Sequence, residues 1–144
     1  MVKSYQLLMV RDSNFKGNTV TVKSPEDIAD LLNEYLKGKD RECFVLVALS
    51  TRNKVIGIHT VSSGTLDSTI VHPREVFKFA ILANAGQIII GHNHPSGEVE
   101  PSGDDIRMTR RLKEAGEILG ISLVDHLIVD GEGTSYSLAR HNQL

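Results

Sequence analysis

The chain of 144 residues is long enough for one domain with a single sizeable core, and too short for two. Its composition, 40% hydrophobic and 24% charged, is ordinary for a globular protein. The formal net charge of −2 excludes the overall basic field of a protein that binds nucleic acid by charge alone. The single cysteine, Cys43, excludes a disulfide framework and suits a reducing compartment. No apolar run approaches the roughly 20 residues that span a bilayer, so we expect a cytoplasmic protein that does not associate with membranes.

The first half of the chain predicts strands around one helix. Four segments are apolar or alternate in the way strands do, namely residues 4–10, 18–22, 42–49 and 55–61. The last two are expected to form a hairpin. Between the pairs lies SPEDIADLLNEYLKG, in which Ser24 is a good helix N-cap, Pro25 suits the first helical position and Gly38 ends the run.

The second half alternates helices with strands. His72-Pro73 opens a helix that we expect to stop at Gly86, and Ser102 caps a longer helix from about Asp104 to Leu119. Strands are predicted at residues 87–94, 122–130 and 134–138. This order predicts a single α/β domain over residues 1–144, with a central mixed sheet and helices on its faces in a three-layer-like sandwich.

The segment GHNHPSGEVEPSGDD, residues 91–105, concentrates groups that can bind a metal ion. On a strand, His92 and His94 point to the same face, and Pro95 ends the strand beside them. The loop is long enough to return a third ligand from the next helix, for which Asp104 and Asp105 are both candidates. Two histidines and one carboxylate leave a zinc ion with an open fourth position, which a catalytic site requires.

A purely structural interpretation of the same segment stays open at this point. Ser102 to Asp105 reads S-x-x-D, which is a plausible capping box, and acidic residues favour a helix N-terminus through its dipole. The glycines and prolines could simply make a turn.

The spacing of this segment resembles the JAMM (MPN+) metalloprotease signature. In that signature H-x-H-P is followed by a serine eight residues after the second histidine and by an aspartate three residues later. The sequences HNHPSG, PREVFK and LVDHLIV narrow the resemblance to the JAMM domain of the bacterial RadC family. It covers the chain from about Asp40 to the C-terminus, preceded by a strand and helix segment over residues 1–39. The sequence resembles the short members that lack an N-terminal helix-hairpin-helix segment, and it implies the cytidine-deaminase-like form of the sandwich.

The resemblance also implies roles for five residues. It selects Asp105 over Asp104 as the third zinc ligand, beside His92 and His94. Glu42, immediately before a buried strand, is expected to hold and deprotonate the attacking water and then to protonate the leaving amine. Ser102 is expected to donate a hydrogen bond to the oxyanion. The implied activity is zinc-dependent hydrolysis of a peptide or isopeptide bond in a peptide or protein substrate.

Two other functions remain as alternatives. The family's association with DNA repair implies a nucleic-acid partner, with the metal acting in phosphodiester chemistry or as a structural element. Its sequence support is weak and consists of basic residues near one helix face, which are Arg107, Arg110, Arg111 and Lys113. A metal-stabilised scaffold without catalysis is less favoured, because all five signature positions are filled. The oligomeric state stays open.

Several further residues are expected to be structural. Asn93 should face away from the two histidines that flank it, and Cys43 lies within an apolar run with no histidine beside it. His59, His72 and His126 have no partner at ligand spacing. We expect them to pack in the core or to support the ligands from behind.

Overall fold

A computed structural model of the chain describes residues 1–13, 15, 21–64 and 71–144. The elements in chain order are α1 (Pro25–Tyr35), β1 (Cys43–Leu49), β2 (Val55–Ser63), α2 (Pro73–Leu82), β3 (Gln87–Asn93), α3 (Gly103–Leu119), β4 (Ser122–Val129) and β5 (Ser135–Ser137). The strands form one five-stranded sheet in the order β2-β1-β3-β4-β5. Only the β3–β4 pair is parallel, since α3 carries the chain back between these two strands. The predicted α/β fold with a mixed sheet is confirmed.

The central strand β1 explains why helices cover both faces of this sheet. Its alternate residues Phe44, Leu46 and Ala48 pack in one core cluster with α2 and α3. The intervening residues Val45, Val47 and Leu49 pack in a second cluster with α1. All seven residues of β1 are buried, which accounts for its continuous apolar sequence. The layered arrangement is therefore helix, sheet, helix.

Local capping sets where the helices begin. Ser24 is the N-cap of α1, as predicted, and its backbone N–H donates to the Asp27 carboxylate at 3.2 Å. At α2 the ring nitrogen Nδ1 of His72 accepts the N–H of Arg74 at 3.2 Å, so this histidine acts as a helix cap. At the C-terminal end of α3, Gly120 adopts a left-handed φ of 74° and ends the helix.

The N-terminal strand prediction is wrong. Residues 4–10 are not in a strand, and their large apolar side chains are exposed, by 78% for Tyr5 and 89% for Val10. An apolar segment does not by itself provide the neighbouring strand that its backbone must pair with. Of the second predicted strand, residues 18–20 lie outside the described residues, and Thr21 makes a single bridge to Lys54.

The predicted ends of α2 and β3 also differ from the structure. Helix α2 ends at Leu82 and does not reach Gly86, because Asn84 adopts a left-handed φ of 53° that a helix cannot contain. Strand β3 ends at Asn93, so His94 lies one residue beyond it. None of the described helices combines the length and the apolar character needed to cross a membrane.

Candidate metal centre

The two histidines and Asp105 meet where β3 ends and α3 begins. His92 lies in β3, and His94 follows the strand but still donates its backbone N–H to Val129 of β4 at 3.0 Å. The chain then turns at Gly97, whose φ of 89° favours glycine, and its N–H returns to the His94 carbonyl at 3.0 Å. This turn starts the loop that leads to α3, whose first turn contains Asp105.

The ligand atoms of these three side chains have the spacing of a small tetrahedral site. Nε2 of His92 lies 3.3 Å from Oδ1 of Asp105, and Nε2 of His94 lies 3.4 Å from Oδ2. The two Nε2 atoms are 2.9 Å apart. A tetrahedral zinc ion with bonds of about 2.0–2.1 Å separates its ligands by roughly 3.3–3.4 Å. The side chains therefore fit a metal ion with only a small outward shift of the two rings.

In the part of the chain that the structure describes, this is the one such group. No other set of three or more His, Cys, Asp or Glu side chains there brings its ligand atoms within 4.8 Å of one another. Within the group, the exposed fraction of the side chain is 1% for His92, 10% for Asp105 and 15% for His94. The group consequently reaches solvent on its His94 side.

In the metal-free group the electrostatics favour an ionised Asp105 and a protonated His94. Burial alone would raise the pKa of Asp105, but hydrogen bonds from His92 and His94 outweigh it and hold that pKa well below its usual range. The carboxylate is therefore ionised at neutral pH. The hydrogen bond to Asp105 raises the pKa of His94, with burial opposing it. Nδ1 of His94 lies 2.7 Å from the Glu98 carbonyl, which only accepts, so Nδ1 carries a proton and Nε2 faces Asp105.

His92 is held from behind by a third histidine. Its Nδ1 lies 2.7 Å from Nε2 of His126, which projects from β4 and is fully buried. The Phe44 ring stacks near His92 with centroids 6.3 Å apart. Burial first, and the nearby His92 second, lower the pKa of His126 well below its ordinary value. His126 has no sequence neighbour at ligand spacing, and only the parallel pairing of β3 with β4 brings it beside His92.

Glu42 lies immediately before β1, at the end of the strand that pairs with β3. Phe44 pairs with His92 in the antiparallel β1–β3 ladder, so the same register two residues earlier leads to Glu42 and His94. Its negative charge is among the causes that raise the pKa of His94, which is consistent with a short separation. Glu42 is half-buried. Its predicted role as the base stays a prediction.

Asn93 holds the backbone on both sides of Glu42. Its Oδ1 accepts the N–H of Cys43 at 2.7 Å, and its Nδ2 donates to the Arg41 carbonyl at 2.9 Å. Asn93 is buried, as is Cys43, which packs in the α1-side core. These two hydrogen bonds, which we call the Asn93 clamp, link the strand that contains His92 to the peptides that flank Glu42.

Ser102 forms the capping box that the structural interpretation predicts. Its Oγ accepts the N–H of Asp105 at 3.0 Å, and its own N–H donates to Oδ2 of Asp105 at 2.8 Å. The cap and the metal group are therefore compatible, because the cap orients the carboxylate that faces the histidines. The rejected alternative, Asp104, forms an ion pair with Arg107 on the helix surface.

A comparison with known families agrees with this geometry. The model of the RadC-like JAB domain matches residues 22–144. The chain belongs to the RadC-like JAB domain family. It is 45% identical over 126 residues to a UPF0758 protein of Alkaliphilus oremlandii, covering 88% of this chain and 54% of the relative. It is 49% identical over 130 residues to a UPF0758 protein of Moorella thermoacetica, covering 90% and 56%.

A UPF0758 protein of Rubrobacter xylanophilus is 51% identical over 123 residues, covering 85% of this chain and 53% of the relative. This RadC-like JAB domain thus spans about half the length of the curated relatives it matches. Their shared name states no activity. The match from Val22 onward includes α1, which the sequence resemblance placed before the family core.

The remaining histidines considered from the sequence lie elsewhere in the described fold. His59 is on β2, with its ring 5.5 Å from that of Phe79 of α2. His72 caps α2. Neither belongs to the metal group.

Proposed function

We propose that this RadC-like JAB domain is a zinc-dependent hydrolase of peptide or isopeptide bonds. The observation that carries the proposal is the convergence of two imidazole nitrogens and one ionised carboxylate within metal-ligand distance of one another, with the His94 side chain partly exposed to solvent. Two nitrogen ligands and one oxygen ligand suit zinc, and they leave the open position of a catalytic site. A bound zinc ion would polarise the scissile carbonyl and make a water molecule acidic enough to react at neutral pH.

In this proposal Glu42 moves the protons. Its carboxylate, whose charge acts on His94, takes a proton from the attacking water and delivers one to the leaving amine. Its half-buried position and the clamp from Asn93 support this role, since a general base must be held in one orientation.

Ser102 would stabilise the developing oxyanion. Its Oγ accepts the N–H of Asp105, so the hydroxyl hydrogen can point away from the cap and donate to substrate. Capping and catalysis thus use different parts of one hydroxyl.

A single metal group favours amide over phosphodiester hydrolysis. Enzymes that cleave phosphodiesters commonly use two metal ions about 3.5–4 Å apart. The described residues offer one such group, and in this proposal Glu42 serves proton transfer to an amine and does not bind a second metal ion. These observations support a peptide or protein as the substrate.

The test pairs metal content with turnover. We expect roughly one zinc per wild-type chain and loss of zinc in His94→Ala, because a ligand is removed. Glu42→Gln should keep its zinc and lose about 10²–10⁴-fold in turnover of model peptide and isopeptide substrates, because the amide cannot accept the proton. The matched control is Asp40→Asn, which neutralises an exposed acid two residues away and should leave turnover unchanged.

The proposal fails if wild-type protein binds no zinc or if Glu42→Gln retains the wild-type rate. Hydrolysis of a phosphodiester probe alone, such as bis-p-nitrophenyl phosphate, would favour the nucleic-acid alternative.

A further inference from the structure

Behind the candidate metal group, three buried polar side chains form a continuous hydrogen-bonded chain. They are His92 of β3, His126 of β4 and Thr109 of α3, and none is more than 1% exposed. Nδ1 of His92 lies 2.7 Å from Nε2 of His126, and Nδ1 of His126 lies 2.6 Å from Oγ1 of Thr109. The Thr109 hydroxyl in turn lies 2.6 Å from the backbone carbonyl of Asp105, one helical turn earlier.

The direction of this chain follows from counting hydrogens. A carbonyl oxygen only accepts, so Thr109 donates its one hydroxyl hydrogen to Asp105. The same oxygen must then accept from Nδ1 of His126. A neutral imidazole carries one N–H, so Nε2 of His126 has none and accepts from Nδ1 of His92. In the neutral form that a metal ligand must have, His92 is then left with an unprotonated Nε2, which is the atom that faces His94 and Asp105.

The burial of His126 supports its neutral form. Its two ring nitrogens contact a hydroxyl and another imidazole, with no carboxylate against either. Among the described residues, a cationic ring fully buried between these groups would have no carboxylate hydrogen-bonded to it, and burying such a charge is costly.

We infer that Thr109 and His126 are positioning residues for the metal. They fix which nitrogen of His92 is free to bind it, and they couple that ring to the helix turn that carries Asp105. The inference rests on the proposed function only in taking His92 and Asp105 as ligands of a bound metal. One hydroxyl thereby ties together two ligands that come from different elements. Outer contacts of this kind typically alter metal affinity by about 10–100-fold when they are removed.

The first test changes only the hydroxyl. Thr109→Val has nearly the same shape as threonine but cannot accept from His126, so we expect its zinc affinity to fall by about 10–100-fold. Thr109→Ser keeps the hydroxyl and should bind zinc within a few-fold of wild type. Affinity is measured on the full chain by competition with a chromogenic chelator, and circular dichroism of the metal-free proteins monitors folding. Equal affinity of Thr109→Val and wild type overturns the inference, as does a Thr109→Ser variant as weak as the valine variant.

The second test needs no variant. In the zinc-loaded wild-type protein, ¹⁵N–¹H NMR of the imidazole rings should show His92 and His126 both protonated at Nδ1 and unprotonated at Nε2. Protonation of His126 at Nε2 overturns the inference even if Thr109→Val fails to fold.

Failure of the proposed function would look different. If the wild-type protein binds zinc but hydrolyses nothing, the proposed hydrolase activity is refuted. The zinc-affinity test of Thr109 and the NMR test of His126 still decide the further inference, because neither depends on turnover. Wild-type protein that binds no zinc overturns both proposals together.

Discussion

Replacing Asn93 with alanine should weaken the domain and disable its proposed base without removing a metal ligand. The side chain makes two hydrogen bonds to the backbone, one to Cys43 and one to Arg41, on either side of Glu42. Alanine makes neither bond. The peptides that flank Glu42 would then be free to move relative to β3 and its histidine.

The magnitude follows from the burial of each bonded group. Cys43 is 5% exposed, so its N–H would remain buried without a partner, which costs about 1–3 kcal/mol. Arg41 is exposed, so its carbonyl can bond to water and loses only about 0.5–1.5 kcal/mol. The sum, about 2–4 kcal/mol, corresponds to a fall of roughly 5–15 °C in Tm for a domain of this size.

Asn33→Ala is the matched control for this experiment. Asn33 is also buried and also bridges backbone groups, accepting the N–H of Gly131 at 3.0 Å and of Gly133 at 3.1 Å in the β4–β5 turn. Thermal unfolding should show a comparable loss of stability in both variants, with zinc content unchanged. Turnover per folded molecule should fall only in Asn93→Ala, since only Asn93 holds the peptides around Glu42. Equal turnover in the two variants, or a stability of Asn93→Ala within about 0.5 kcal/mol of wild type, would refute the reasoning.

Three further predictions concern packing, pH and metal removal. Gly116→Ala should destabilise the domain by about 3 kcal/mol, because the new methyl carbon would lie 2.3 Å from the Ile121 carbonyl oxygen. Gly103→Ala, whose methyl meets only the flexible end of Arg107 at 3.3 Å, should unfold at or above the wild-type temperature. Zinc affinity should rise with pH, because a neighbouring carboxylate raises the pKa of His94 above 6.5 and the bound proton competes with the metal below that raised pKa. The unfolding free energy of the metal-free protein should instead fall as pH rises. The contact between protonated His94 and Asp105 stabilises the fold fully below pH 6.5 or so, and this stabilisation is lost as pH rises through the raised pKa of His94. A zinc Kd that does not change with pH would contradict both statements. Chelation of zinc present at 100 times its Kd should cost about 2.7 kcal/mol of unfolding free energy, and His94→Ala should melt at the same temperature with or without the chelator.

Features that depend on a few neighbouring residues could be read from the sequence. The capping residues Ser24 and Ser102 begin helices where predicted, and Gly120 ends one, because caps act within a single turn. The H-x-H spacing at a strand end likewise predicts that His92 and His94 point to the same face, and their Nε2 atoms lie 2.9 Å apart.

Features that depend on a partner elsewhere in the chain could not be read in this way. Residues 4–10 have the apolar character of a short strand, yet they lie exposed and outside the sheet in the described structure. His72 was expected to pack or to support a ligand, and it caps α2 through its ring nitrogen. Asn84 ends α2 early by adopting a backbone conformation that the apolar pattern around it does not indicate.

The sequence by itself determined which side chains are the candidate metal ligands and which local turns position them. Both the ligand motif and the helix cap depend on about a dozen neighbouring residues. Only the tertiary structure decided which side chains surround that set. The antiparallel β1–β3 register leads Glu42 toward His94, and the parallel β3–β4 pairing brings His126 behind His92. Strand register arises from packing between segments far apart in the chain, so no local pattern encodes these contacts.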